Sequence, residues 1–325
     1  MGPSASTTLA ILAVALAIYI MYPPPDFSPR VQKWKESGSY FTFNGYNIFY
    51  HDDQGAGPST DVLLIFHGYP TCSYDFHKVW DSLTERFGRV IAADFLGYGL
   101  SDKPVQYDYS IVDQADMVEA LLEKLGVNAV HILGHDMGDT VGQELIARYN
   151  EGKAKFDIHS VCLMNGGILP ETIDKRWGQK ILLNPYLALV AMRLMGKISF
   201  SKGLGETFGP QTQPSAEEFE DYWALLRYND GNLVQHGIIQ YLPQRFANRQ
   251  RWVPALYNTK LPLHLVFGPS DPVNPAATFL VKYKELVKNS GVTELSSNVG
   301  HYLHLEDPQA VVGAYFNFLD SLKNK

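Results

Sequence analysis

Apolar residues along this 325-residue chain fall into two rhythms. Short unbroken runs recur at Asp61 to Phe66, Arg89 to Asp94, Ala129 to Gly134, Ile158 to Asn165 and Leu263 to Phe267. Such runs, bounded by turn residues, predict strands buried on both faces, as in a parallel sheet. Stretches of helical spacing lie among them, about His77 to Phe87, Ser110 to Leu125 and Thr140 to Tyr149, then Ala276 to Val287 and from Pro308 onward. Tyr40 to Phe43 and Asn47 to His51 alternate around Asn44-Gly45, the pattern of a hairpin, and Thr293 to Ser297 reads as a last strand. Strand and helix alternate, which predicts right-handed crossovers and an α/β fold. The expected sheet is mostly parallel and eight-stranded, with helices on both faces.

Two segments break the rhythm. Residues 168–255 are helical in pattern and rich in aromatics and Met, with turn signals at Gly203, Gly205, Gly209-Pro210 and Asn229-Asp230-Gly231. They follow the sixth predicted strand, where a helical insertion would roof the carboxyl ends of the sheet. The expected organisation is therefore an N-terminal segment (1–25), a core in two parts (26–167 and 256–325) and a helical cap between them. Residues 1–25 carry no charged side chain, and Thr7 to Tyr22 is nearly all apolar. Counted from Ala5, this is about the length needed to cross a bilayer, so a membrane anchor is expected. A cleaved signal peptide is the rival: Ala15-Leu16-Ala17 resembles a weak cleavage site, but the basic start is missing. Arg30, Lys33 and Lys35 follow the segment and no Lys or Arg precedes it, which places the body of the protein in the cytosol.

Composition narrows the classes. The chain is 46% hydrophobic with a net charge of −7, and its basic residues are scattered, so nucleic acid is not an expected partner. Cys72 and Cys162 are the only cysteines and read as buried thiols; no Cys/His spacing suggests a metal. Gly97-Tyr98-Gly99 lacks the third glycine and the later acidic residue of a dinucleotide loop, so no cofactor is expected.

Gly134-His135-Asp136-Met137-Gly138 sits between a predicted strand and a helical stretch. Strand, Gly-x-nucleophile-x-Gly, helix is a nucleophile elbow, with Asp where Ser is usual. A carboxylate is suited to displacing a leaving group from saturated carbon to form an alkyl ester, because attack on a carboxylic ester would give an anhydride. Asp271 lies in the loop after one strand and His301 in the loop after the next, so nucleophile, acid and base follow in order. In the expected mechanism Asp136 forms the ester and His301, oriented by Asp271, activates the water that hydrolyses it. Tyr69, after His67-Gly68, and Met137 would supply the oxyanion-hole N–H groups. His67 reads as structural, and Asp139, already on the helix, as a solvent or packing group. His304 competes with His301 for the role of base.

The elbow, His67-Gly68-Tyr69-Pro70, the segment Asp94 to Pro104 and Gly300-His301 together resemble the epoxide hydrolase and haloalkane dehalogenase branch of the α/β hydrolases. The resemblance implies the α/β-hydrolase fold. It also selects His301 over His304, since the family's histidine stands five residues before a Glu and seven before a Pro, here Glu306 and Pro308. A closer resemblance, to a vertebrate group within that branch, rests on Pro70 to Asp75, Asn165 to Ile168 and Asn229 to Val234. It implies a hydrolase of the endoplasmic-reticulum membrane and leaves the reaction open; the expected anchor and the apolar cap point to a small-molecule, lipid-like substrate. Dehalogenases hold the halide with side-chain N–H groups, which Met137 and Tyr69 lack. Epoxide hydrolases donate a proton from cap tyrosines, for which the resemblance offers Tyr241 and Tyr186. Epoxide hydrolysis is thus the leading expectation. Dehalogenation, lipid acyl transfer or hydrolysis, and a non-catalytic scaffold are the alternatives.

Overall fold

The computed structural model describes residues 4–20 and 22–323. Eight strands form one sheet: β1 (Ser39–Phe43), β2 (Tyr46–Gln54), β3 (Val62–Phe66), β4 (Arg89–Ala93), β5 (Ala129–His135), β6 (Asp157–Met164), β7 (Leu263–Phe267) and β8 (Ser290–Glu294). Their order is β1-β2-β4-β3-β5-β6-β7-β8, antiparallel at β1–β2 and β2–β4 and parallel elsewhere. Asn44 and Gly45 turn the first hairpin at φ 50° and 85°, the left-handed pair that a two-residue loop requires. All five residues of β3 are buried, and two apolar layers flank the sheet. The sheet is the eight-stranded, mostly parallel one that the apolar runs predict.

The departures have local causes. β8 begins three residues earlier than expected, because it is an edge strand with no fully buried residue and so has no strong apolar pattern. The helix predicted from His77 begins at Trp80, preceded by a 3₁₀ turn over Ser73–Lys78. A helix at Pro29–Ser37, which no apolar rhythm announces, precedes β1; Ser28 caps it by accepting from the Val31 N–H, Pro29 opens it, and Val31 and Trp34 are buried. The N-terminal helix Ala5–Ile20 has 16 residues. At about 1.5 Å per residue it is shorter than the ~30 Å hydrocarbon core. No helix among the described residues is long and apolar enough to cross a membrane, so the expected span is not found there.

The segment between β6 and β7 is helical. Trp177–Leu183, Pro185–Leu194 and Lys197–Gly205 stand over the sheet's carboxyl end, where they wall a cavity. Its last helix, Arg249–Asn258, packs instead on the core helix Met137–Asn150, with Trp252 Nε1 donating to Glu144 Oε2 at 2.8 Å. The expected cap boundary at 255 therefore falls inside a helix that belongs to the core packing.

Candidate active site

β5 carries the chain to His135, and the next helix begins at Met137. Asp136 between them takes φ 48°, ψ −106°, a conformation that a non-glycine residue holds at a cost of about 1–3 kcal/mol. Glycines at two positions permit it. A Cβ on Gly138 would lie 2.6 Å from Phe66 Cβ, and one on Gly68 would lie 2.7 Å from Asp136 Cβ. Strand end, the loop carrying Gly68 and helix start can approach this closely only without those side chains.

Asp136 is buried, yet its carboxylate is well supplied with positive partners. The Tyr69 N–H donates to Oδ2 at 3.0 Å, and Arg245 Nη2 lies 3.3 Å from Oδ1 and 2.8 Å from the main-chain oxygen. Burial pushes the Asp136 pKa up, but Arg245, His301, His135 and the Tyr69 N–H together hold it below the ordinary carboxylate value. It stays ionised. The Tyr241 hydroxyl also donates to the Asp136 carboxylate, and its ring packs 5.7 Å from that of Tyr69.

His301 Nδ1 and Asp271 Oδ2 are 2.9 Å apart. Asp271 is fixed by the Val273 N–H at 2.7 Å and by Asn274 Nδ2 at 2.9 Å. Burial lowers the His301 pKa, but Asp271, then Asp136 and Glu306, outweigh it and raise the value to about 9. The imidazole is thus held as the cation between two carboxylates while Asp136 is free.

Asp136, His301 and Tyr69 line a cavity of about 360 Å³, walled otherwise mostly by apolar side chains such as Leu182, Phe200 and Leu204, with Arg176 and Glu206 among its few charged residues. Met137, the first residue of the helix, is buried beside the elbow, and its sulfur accepts from the Tyr98 hydroxyl at 2.9 Å. The structure thus gathers Asp136, Asp271, His301, Tyr69, Met137 and Tyr241 into one site. It does not bring Tyr186 there: this residue is 81% exposed at the start of Pro185–Leu194, and Ala188 and Met192 form that helix's buried side. His304 is stacked on Phe76, buried and held neutral, and His67 accepts from the Phe95 N–H, so both are structural. Asp139 has no solvent contact and burial raises its pKa far above normal, so of the two expected roles, solvent or packing, the solvent one is excluded.

Three contributors escaped sequence reasoning. Arg245 is an i+4 neighbour of Tyr241 on one helix, but that spacing does not say which buried group it meets. Thr140 accepts from Arg245 Nε at 2.7 Å. Asn165 (φ 36°) donates to the Gly268 and Gly300 carbonyls and accepts from the Gly268 N–H, tying the end of β6 to the loops carrying Asp271 and His301. One further group, Asp75, His135 and His304, could hold a metal among the described residues, with ligand atoms within 4.8 Å of one another. Burial favours the uncharged form of each, and His135 is lowered to about 3. His135 Nε2 also lies 2.9 Å from the His301 carbonyl, so this neutral group supports the main chain under His301.

The comparisons agree with this fold. The α/β hydrolase fold family model matches residues 61–308. The chain is 46% identical to the human mesoderm-specific transcript homolog protein over 318 residues, covering 96% of this chain and 95% of that protein. Among solved structures, the loop variant of haloalkane dehalogenase DbeA from Bradyrhizobium elkanii superposes with a TM-score of 0.71 at 20% identity, covering 89% of this chain and 97% of that one. Epoxide hydrolase CorEH does so with a TM-score of 0.68 at 20% identity, covering 88% and 99%. By the family model, the extent of the sequence match and the sheet and elbow described above, the chain belongs to the α/β hydrolase family.

Proposed function

We propose that this hydrolase opens epoxides of apolar, lipid-like molecules through an ester on Asp136. The observation that carries the reading is a carboxylate at the elbow, held ionised beside the His301–Asp271 pair and facing an apolar cavity. Asp136 attacks an epoxide carbon, the ring C–O bond breaks, and the alkoxide takes the proton of the Tyr241 hydroxyl. With the Asp136 charge gone in the ester, His301 releases its proton to solvent; now neutral, it takes a proton from water, and the hydroxide adds to the ester carbonyl. The resulting oxyanion faces the Tyr69 and Met137 N–H groups. Collapse releases the diol, which takes the imidazolium proton, and the Asp136 carboxyl returns its proton to Tyr241. No metal or cofactor takes part in these steps.

Tyr69 and Met137 bring no side-chain N–H to a leaving halide, which favours the epoxide reading over dehalogenation. The apolar segment 5–20, followed by Arg30, Lys33 and Lys35, supports attachment to the endoplasmic-reticulum membrane with the site on the cytosolic side. A single turnover of epoxidised oleic acid in heavy-oxygen water tests the route. The account places the heavy atom in the Asp136 carboxylate and leaves the diol unlabelled; a labelled diol with an unlabelled Asp136 overturns it.

A further inference from the structure

Large apolar side chains are exposed in scattered positions over most of the molecule, but seven of them crowd into residues 177–198. Trp177, Tyr186 and Ile198 are 74%, 81% and 84% exposed, and Leu187, Leu189 and Val190 lie between them on the helix Pro185–Leu194. The buried residues of that helix, Ala188 and Met192, face the other way, so its outer side is apolar without a covering element among the described residues. A patch of this kind on a soluble face marks an interaction surface.

Charge identifies the partner. Residues 175–205 contain six basic side chains and no acidic one, in a chain whose net charge is −7. Arg176 and Lys197 are ion-paired with Glu206 and Glu220, which leaves Lys180, Arg193 and Lys202 as the exposed cations among the apolar residues. Exposed Trp, Tyr, Leu and Ile mixed with Lys and Arg suit the interface of an anionic bilayer, where apolar rings enter the headgroup boundary and cations meet lipid phosphates and carboxylates. The same three helices wall the cavity from inside, through Leu182, Ala191, Phe200 and Leu204, and Leu194 belongs to both surfaces: it is 45% exposed and lines the cavity. The outer patch is continuous with the wall of the candidate active site.

We infer that the helices spanning 177–205 seat on an anionic lipid surface and admit apolar substrate from it into the cavity. This deepens the proposed function, on which the substrate part rests, while the seating itself can be measured without turnover. Cys72 and Cys162 are buried, so a cysteine introduced at an exposed position can be labelled selectively. The full-length chain with Ile198→Cys, carrying a polarity-sensitive fluorophore, is mixed with vesicles of phosphatidylcholine alone or with phosphatidylserine. Val281→Cys, exposed on the helix Phe279–Leu286, is the reference position.

The expected result is a blue shift at position 198 with the phosphatidylserine vesicles, its loss in high salt, and none at 281. The double variant Lys180→Gln/Arg193→Gln reduces the shift. An unshifted label at 198 on vesicle-bound protein overturns the inference, as does an equal shift with phosphatidylcholine alone. A shift that needs no vesicles and grows with protein concentration also overturns it, because a second copy then covers the patch. Leu187→Ser gives a separate readout: turnover of vesicle-borne epoxide falls while that of water-soluble styrene oxide is unchanged. If neither epoxide is turned over but the label still shifts, the proposed chemistry fails and the seating stands.

Discussion

One guanidinium holds both the backbone and the side chain of the elbow: Arg245 Nη2 donates to the Asp136 main-chain oxygen at 2.8 Å and reaches its carboxylate at 3.3 Å. Both residues are buried, so neither charge has water as a substitute partner. In the proposed mechanism esterification removes the Asp136 charge, and Arg245 regains its carboxylate partner only when hydrolysis expels the alkoxide and restores Asp136. The ion pair therefore favours breakdown of the ester over its persistence.

Removing that cation uncovers a buried carboxylate. Arg245→Met is expected to destabilise the protein by about 3–5 kcal/mol, as for other broken buried pairs. Any folded fraction should accumulate the Asp136 ester. Urea unfolding and quenched-flow mass analysis read the two effects separately. Unchanged stability would mean that the pair contributes nothing to the elbow. Arg245→Lys keeps the charge but loses the planar fork that meets Thr140 and Asp136 together, and should fall between.

The pH dependence follows from the charges around His301. Its pKa of about 9 rests in part on ionised Asp136, and ester formation removes that contribution. The base is therefore easier to deprotonate in the ester than in the free enzyme. Ester hydrolysis should rise with pH and level off with a midpoint below about 9. A hydrolysis rate that rises toward acid would contradict the assignment of His301 as base.

Stability carries the opposite sign. The folded pKa of His301 lies above its ordinary value of 6.5, so its contribution is complete below about 6.5 and is lost as pH rises through about 9. His301→Gln should flatten the decline in melting temperature across that window. An identical decline in the variant would place its origin elsewhere.

The two cap tyrosines make a matched pair of tests. Tyr241 donates to the Asp136 carboxylate, whereas Tyr186 points to solvent. Tyr241→Phe should slow ester formation by about 10²–10⁴-fold, the usual range for losing a positioned proton donor, and leave ester hydrolysis close to normal. Tyr186→Phe should leave the rate with a water-soluble epoxide unchanged. Rapid-quench measurement of ester formation distinguishes them, and equal losses would remove Tyr241 from the proton-donor role.

Asn165 connects the candidate acid and base without touching substrate. Asn165→Ala takes their side-chain partner from the buried Gly300 carbonyl and the Gly268 N–H, while the Gly268 carbonyl keeps the Asp271 N–H. A loss of about 1–3 kcal/mol is expected. Amide exchange should quicken first in the loops bearing Asp271 and His301, and uniform quickening across the sheet would argue against a local role.

Much of this architecture was legible because parallel strands leave long apolar runs, and the elbow has a local signature in Gly134 and Gly138. The family spacing likewise separated His301 from His304. β8 was misplaced because an edge strand lacks that run. Pro29–Ser37 was missed although Ser28-Pro29 is a good helix start, since only Val31 and Trp34 mark its buried side. Arg245 and Asn165 were hidden for a different reason. Their roles come from contacts with residues more than 100 positions away, and no local pattern encodes which buried polar groups will meet. Tyr186 shows the converse: a tyrosine in the right segment carries no information about which face of its helix it occupies.

The central claim is an ester on Asp136, and trapping it is the most direct measurement. Folded His301→Ala protein is incubated with epoxidised oleic acid, digested, and the Asp136 peptide weighed. The account predicts a stable mass increase equal to the whole epoxide, since ring opening adds the molecule without loss. An unmodified Asp136 peptide, under conditions where the wild-type protein forms diol, would contradict it.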